Sequence, residues 1–210
     1  MKIGIIGAGN VGGNLGKLWA GKSHDVMFGV RDPQSAKIKA LLVSIGLNAR
    51  AGSVHEAASF AEVVVLTTPW PATQDAIQTA GDLTGKILVD CTNPLAPDLS
   101  GLSIGHTTSA AEELARWAPG ARVVKAFNTI GAQRMLNPQF GSQAASLFIC
   151  GDDEAAKSVV TKLTEETGFE VIDAGPLSNA RLLEPLAMLW IYLAYKQGLG
   201  PNIAFKLLRD

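Results

Sequence analysis

The chain opens on a short, uninterrupted apolar run, residues 2–6, that ends on glycines. A run of this kind, with no polar alternation, predicts a parallel strand buried on both faces. Comparable runs at residues 25–30, 62–67, 87–90, 122–126, 146–150 and 170–173 predict six more strands. Helical spacing of apolar positions fills the intervals 11–20, 33–45 and 153–167. Pro33 suits a first helical turn, which leaves Asp32 as the expected cap, and Asp153 is the expected cap of the later helix. Ser53 with Glu56, and Ser109 with Glu112, have the spacing of capping boxes, and the second helix runs to about Trp117. From Ser178 onward the pattern is helical to the end, with Ser178 or Asn179 as cap and Arg181 and Glu184 spaced to pair.

Strands alternating with helices imply an α/β chain built on a doubly wound parallel sheet, the Rossmann NAD(P)-binding fold. Residues 1–175 form this domain, and 176–210 form a small helical C-terminal part. Ligands of such sheets sit at the carboxyl ends of the strands. The first strand runs into Gly7-Ala8-Gly9-Asn10-Val11-Gly12, a G-x-G-x-x-G loop between strand and helix. Gly7 permits the turn, Gly9 lets a pyrophosphate approach, and Gly12 lets the helix pack on the strand. Asn10 and Val11 open the helix whose free N–H groups face the phosphates.

The end of the second strand separates NAD from NADP. The position where NAD enzymes carry an acidic residue is Val30, followed by Arg31, which suits a 2′-phosphate. Lys37 adds charge. Asp32 lies near the acidic spacing of NAD enzymes, and its role as a helix cap leaves NADP the favoured dinucleotide. Beyond the strand at 62–67, Thr68, Pro69 and Trp70 lie over the nicotinamide end of the crevice. Asn93 and Pro94 follow the next strand, and Asn93 is placed to bond ribose or carboxamide. Trp70 has core packing as its plainer role, and Asn93-Pro94 has a simple turn.

No Lys, His or Tyr stands in these loops as a proton carrier, so no catalytic side chain is assigned. A dehydrogenase of an alcohol moves a proton as well as a hydride. Hydride transfer between two coenzymes asks mainly for proximity and orientation.

Composition narrows the classes further. The chain has 210 residues, 47% apolar and 18% charged, with a formal net charge of −1. That balance argues against nucleic acid or a membrane surface as partner. Cys91 and Cys150 end apolar runs far apart, and read as reduced, buried thiols of a cytoplasmic protein. No cluster has metal-ligand spacing. The chain starts directly on a strand, with no signal peptide, and the apolar run 186–195 is too short to span a bilayer.

The stretch Asp173-Ala174-Gly175-Pro176-Leu177-Ser178-Asn179-Ala180-Arg181-Leu182-Leu183-Glu184 resembles the NADPH-dependent reductases of the deazaflavin coenzyme F420. Residues 150–154, Gly7 to Gly12, Gly29-Val30-Arg31 and Thr68-Pro69-Trp70 are similar to the same family, where Ser often stands in place of Val30. Lys125-Ala126-Phe127-Asn128-Thr129-Ile130-Gly131 instead resembles the cytosolic reductase domain of six-transmembrane metalloreductases, which pass NADPH electrons to a flavin. The resemblance implies a homodimer and hydride transfer between NADP(H) and F420, FMN or FAD. It also implies a second-coenzyme pocket drawing on Asn128, Thr129, Pro176, Leu177, Ser178 and Leu199. An NADP-dependent dehydrogenase of a small carbonyl or imine, or a non-catalytic NADP sensor, is the alternative.

Overall fold

A computed structural model describes residues 1–210. Its central strand is β1 (Lys2–Ile6), buried on both faces from Ile3 onward. It lies between β2 (Asp25–Gly29) and β4 (Val63–Leu66), both parallel to it. The third strand, β3 (Ala49–Gly52), joins the outer edge of β2, while β5 (Ile87–Asp90) and β6 (Arg122–Lys125) continue the sheet beyond β4. The six strands stand in the order β3-β2-β1-β4-β5-β6, the dinucleotide-binding order with its switch point between β1 and β4. This is a Rossmann-like α/β fold.

Alternation along each strand sorts its side chains into two core layers. Ile3, Ile5, Val63, Val65, Ile87 and Val89 face the layer closed by α1 (Asn10–Gly21) and α7 (Glu154–Glu165). Ile6, Val64, Leu66 and Leu88 face the opposite layer, with α3 (Val54–Phe60), α4 (Thr73–Ala80) and α5 (Ala110–Trp117). Each such Val, Leu or Ile contributes roughly 1.5–3 kcal/mol by leaving water. Trp19 is wholly buried and its Nε1 donates to Leu163 O, 2.9 Å away, tying α1 to α7.

Several expectations change. The sheet is mainly, not wholly, parallel. Its last two strands, β9 (Ser146–Gly151) and β10 (Glu170–Asp173), pair parallel with each other, but β9 runs antiparallel to β6. The connection after β6 holds only α6 (Ala132–Met135) and a hairpin of β7 (Gln139–Phe140) and β8 (Gln143–Ala144), with no crossover helix to return the chain to the same edge. Strand β3 was not expected, because Ala-Arg-Ala-Gly carries no β-branched residue, and nor was α4.

The helix expected from Pro33 is α2 (Ala36–Ile45), and Asp32 does not cap it. Asp32 Oδ1 accepts from Gln34 N at 3.0 Å, a local turn two residues on. The C-terminal part is helical only through a short 3-10 turn (Leu177–Asn179), α8 (Ala180–Ile191) and one wide turn, Tyr192–Lys196. Residues 197–210 form no helix, and the tail folds back on β9, where Ser146 N donates to Phe205 O. Trp190 Nε1 holds the tail through Ile203 O at 2.8 Å. No helix is long and apolar enough to cross a membrane.

Candidate functional site

The parallel strands end in one row. Gly29, Ile6, Leu66, Asp90 and Lys125 stand side by side in register. The residues that come directly after each of them build the candidate site.

After Ile6 the backbone turns at Gly7, whose φ is +106°, a left-handed conformation that L side chains rarely adopt. A Cβ on Gly12 would lie 2.4 Å from Gly7 O, so the helix passes within backbone contact of the loop. A Cβ on Gly9 would meet nothing within 4 Å. Gly9 is also the N-cap of α1, with no side chain bonded to the helix end and no acidic residue in the first turn. The helix therefore points uncapped N–H groups into open space, the arrangement that holds a pyrophosphate. Thr67 braces the loop from the next strand, its Oγ1 donating to Ile6 O at 3.0 Å and to Gly7 O at 3.2 Å. Sequence reasoning chose Thr68 and missed Thr67, although Thr67 is the residue directly after the strand beside β1. Thr68 Oγ1 is instead bonded to Thr73 Oγ1 at 2.9 Å.

Beyond β2, Arg31 is exposed and makes no ion pair, and Lys37 is exposed on the first turn of α2. Asp32 spends an oxygen on its own turn. On the other side of the switch point, Pro69 is exposed and Trp70 stacks on Trp117 of α5, centroids 5.3 Å apart and planes 24° apart. The Trp70 ring thus has a packing partner within the fold.

Asn93 and Asn128 meet. Asn128 Nδ2 donates to Asn93 Oδ1, and Asn93 Nδ2 to the Asn128 carbonyl, each at 3.0 Å. Asn128 Nδ2 also donates to Leu183 O, bringing α8 to the strand ends. Asn128 Oδ1 is buried with no partner, and Thr129 after Asn128 and Pro94 after Asn93 are buried too. A small cleft of about 240 Å³ between α1 and α6 is lined by Asn10, Asn14, Ala132 and Gln133. Asn14 Nδ2 donates to Ala132 O at 2.8 Å across its floor. Asn14, Ala132 and Gln133 carried no sequence signal, since the cleft exists only where α6 lies against α1.

The Pro176-Leu177-Ser178 turn is not brought to this row. Because β9 and β10 run the other way, the chain leaves β10 at the amino ends of the parallel strands. Leu177 N donates to Asp152 Oδ1, and Leu177 lines a cleft with Arg122 and Val123 at the start of β6. Asn128 lies past the far end of that strand. Leu177 is core, and Leu199 is exposed after the last turn. Asn179 stands at the N-cap of α8 as expected, but its side chain makes no bond to the helix end and Nδ2 donates to Ala174 O.

Beneath the row lies a charge cluster. Lys125, Asp90 and Glu184 are almost completely buried, and Lys125 Nζ lies 2.7 Å from a carboxylate oxygen of each. Burial alone would lower the ammonium, and Asp90 and Glu184 outweigh it, holding Lys125 above its usual range. Burial pushes the Glu184 carboxyl up, against the pull of Lys125. Arg181 does not pair with Glu184 as their spacing suggested; it reaches Glu112 on α5. Both cysteines are free and buried, and burial pushes the Cys150 thiol up to about 12 and the Cys91 thiol well above its usual value. No group of three metal-ligating side chains gathers.

Comparison with known proteins places this geometry. The family described as coenzyme F420-dependent NADP oxidoreductase matches residues 2–94. The F420-dependent NADP reductase of Methanothermobacter marburgensis is 32% identical over 93% of this chain and 93% of its own. Rat metalloreductase STEAP3 is 34% identical over 89% of this chain, which spans only 36% of that longer protein. A crystal structure from Arthrobacter sp. FB24, assigned provisionally as an F420-dependent NADP reductase, superposes with a TM-score of 0.91 over 100% of both chains, at 34% identity.

Proposed function

The chain belongs to the coenzyme F420-dependent NADP oxidoreductase family, and from that premise we propose that it transfers hydride between NADP(H) and a deazaflavin or flavin coenzyme. The observation that carries the reading is the uncapped start of α1 under open space at Gly9, one strand away from the unpaired Arg31. A pyrophosphate on the helix end and a 2′-phosphate on Arg31 satisfy both. Lys37 adds a second cation beside it. Toward the nicotinamide, Asn128 brings a buried side-chain amide, its Oδ1 without a partner, to the strand ends. Asn93 holds that amide in place, and Thr68, Pro69 and Pro94 border the same end of the crevice.

Bound NADPH would supply the hydride, water the proton that completes the reduced acceptor, and the protein's part is to hold the donor and acceptor rings together. Of the titratable groups that close the strand row, Asp90 and Lys125 are committed to one another, and Lys125 also to Glu184, so neither is free to shuttle a proton. That supports coenzyme-to-coenzyme transfer over reduction of a small carbonyl.

Leu182, Leu186, Leu189 and Leu193 recur at helical spacing along α8 and the turn after it, and Leu182 and Leu189 are 66% and 47% exposed. This stripe is the contact face of a homodimer.

The test monitors NADPH absorbance with F420, FMN and FAD as acceptors, for the wild type and Arg31→Ala. Oxidation with at least one acceptor is expected. Arg31→Ala should raise KM for NADPH about tenfold or more, the worth of a charge-assisted bond of roughly 1.5–3 kcal/mol, with NADH unaffected. NADPH binding without turnover of any acceptor overturns the proposal.

A further inference from the structure

Residues 91–109 join β5 to α5 with no helix and only one bridge, between Leu95 and Leu102. Ordered connections of that length are uncommon unless they serve a function. This one leaves the row of strand ends beside the nicotinamide turn. At its tip, bonds from Ser100 hold the Asp98 carboxyl below its usual range.

Both ends of this segment are tied to the buried charge cluster. At the start, Lys125 Nζ donates to Thr92 O at 2.8 Å, while Thr92 N and Oγ1 donate to Asp90 Oδ1 at 2.8 and 2.7 Å. At the other end, the Glu184 carboxylate accepts from Ala110 N at 3.0 Å and Ala111 N at 3.3 Å, the first two residues of α5. The three donors of Lys125 are all spent, on Asp90, Thr92 and Glu184. No ammonium proton is left over and every carboxylate oxygen has a partner, so the cluster acts through what it holds. Burying three charges is a poor route to stability, and a fully satisfied network instead specifies one geometry. The network continues from α8 through Leu183 O to Asn128 and on to Asn93. Between Lys125 and Asn128 the buried Phe127 is held at a φ of +62°, a strained conformation the surroundings must enforce.

We infer that Lys125 and Glu184 are positioning residues, whose buried contacts pin both ends of residues 91–109 and so set the Asn93 turn and α8 against the two coenzymes. The inference rests on the proposed hydride transfer between coenzymes. Neither residue touches a reactant.

Two variants test it. Glu184→Gln keeps the shape and removes one charge. The double variant Lys125→Met/Glu184→Gln keeps the cluster's net charge and removes the link. In both, kcat should fall tenfold or more, while Kd for NADPH stays within threefold, because the phosphate loop and Arg31 lie on other strands. Hydrogen exchange should rise across residues 91–111 and not in β1. A role confined to stability would lower the melting temperature and leave kcat per folded molecule unchanged, and that result overturns the inference. So does unchanged exchange across residues 91–111. If the double variant does not fold, Glu184→Gln decides by the same criteria. If the wild type turns over no acceptor, the proposed reaction fails by itself, and the exchange measurement still decides whether the clamp exists.

Discussion

Gly9 and Gly12 belong to one loop and stand in opposite surroundings. Gly12 is glycine for the fold, since its Cβ would strike Gly7 O and Thr67 Oγ1. Gly9 has room for a methyl and an ordinary φ of −80°. Gly12→Ala should therefore cost about 1–3 kcal/mol, lowering the melting temperature by several degrees. Gly9→Ala should leave the melting temperature nearly unchanged and weaken NADPH tenfold or more, because the methyl occupies the space proposed for phosphate. Thermal melts paired with titration of NADPH fluorescence separate the two, and equal effects at both positions would refute the assignment. At this scale the loop was legible because its spacing is dictated by local backbone geometry. Thr67 was not, because its bond to the loop depends on which strand lies beside β1. Asp32 shows the reverse error: a residue well suited to cap a helix found a nearer donor in Gln34 N.

Among elements, the pairing of α5 with α8 decides what their charged residues do. Ser53 and Glu56 close the complete reciprocal box on α3. Ser109 accepts from Glu112 N as expected, but the Glu112 carboxylate turns to Arg181. The Arg181 bond holds the Glu112 carboxyl below its usual range. A depressed carboxyl contributes stability that is whole above the ordinary carboxylate range and is lost as pH falls through the folded value. Melting temperature should then fall as pH drops below about 4.5, and Glu112→Gln should flatten that acid limb by lowering the melting temperature near neutrality, where the ionised pair contributes, while changing it little at low pH. An unaltered acid limb in the variant would count against the link. The strands of β1, β4, β5 and β6 were readable because burial on both faces demands unbroken apolar runs. The direction of β9 was not, since its side-chain pattern is the same either way along the sheet. That direction carries the Pro176-Leu177-Ser178 turn to the far end from Asn128.

For the whole molecule, the exposed stripe on α8 predicts an isologous dimer. Light scattering should give twice the monomer mass for the wild type and the monomer mass for Leu189→Asp. A monomeric wild type would assign the stripe elsewhere. The tail beyond Lys196 was expected to be helical and is not, because its backbone is claimed by Ser146 and Trp190, partners far away in sequence. What the amino-acid sequence determined by itself was local: the alternating strands and helices, the glycine turn, the dinucleotide expectation at Arg31, and two buried thiols. These come from periodicity, backbone sterics and the charge of single residues. Only the tertiary structure decided that Asn93 meets Asn128, that Lys125 binds Asp90 and Glu184, and that the most family-like stretch starts a helix away from the site. Those outcomes depend on strand order and direction, and a short-range pattern carries no information about which distant strand will lie alongside.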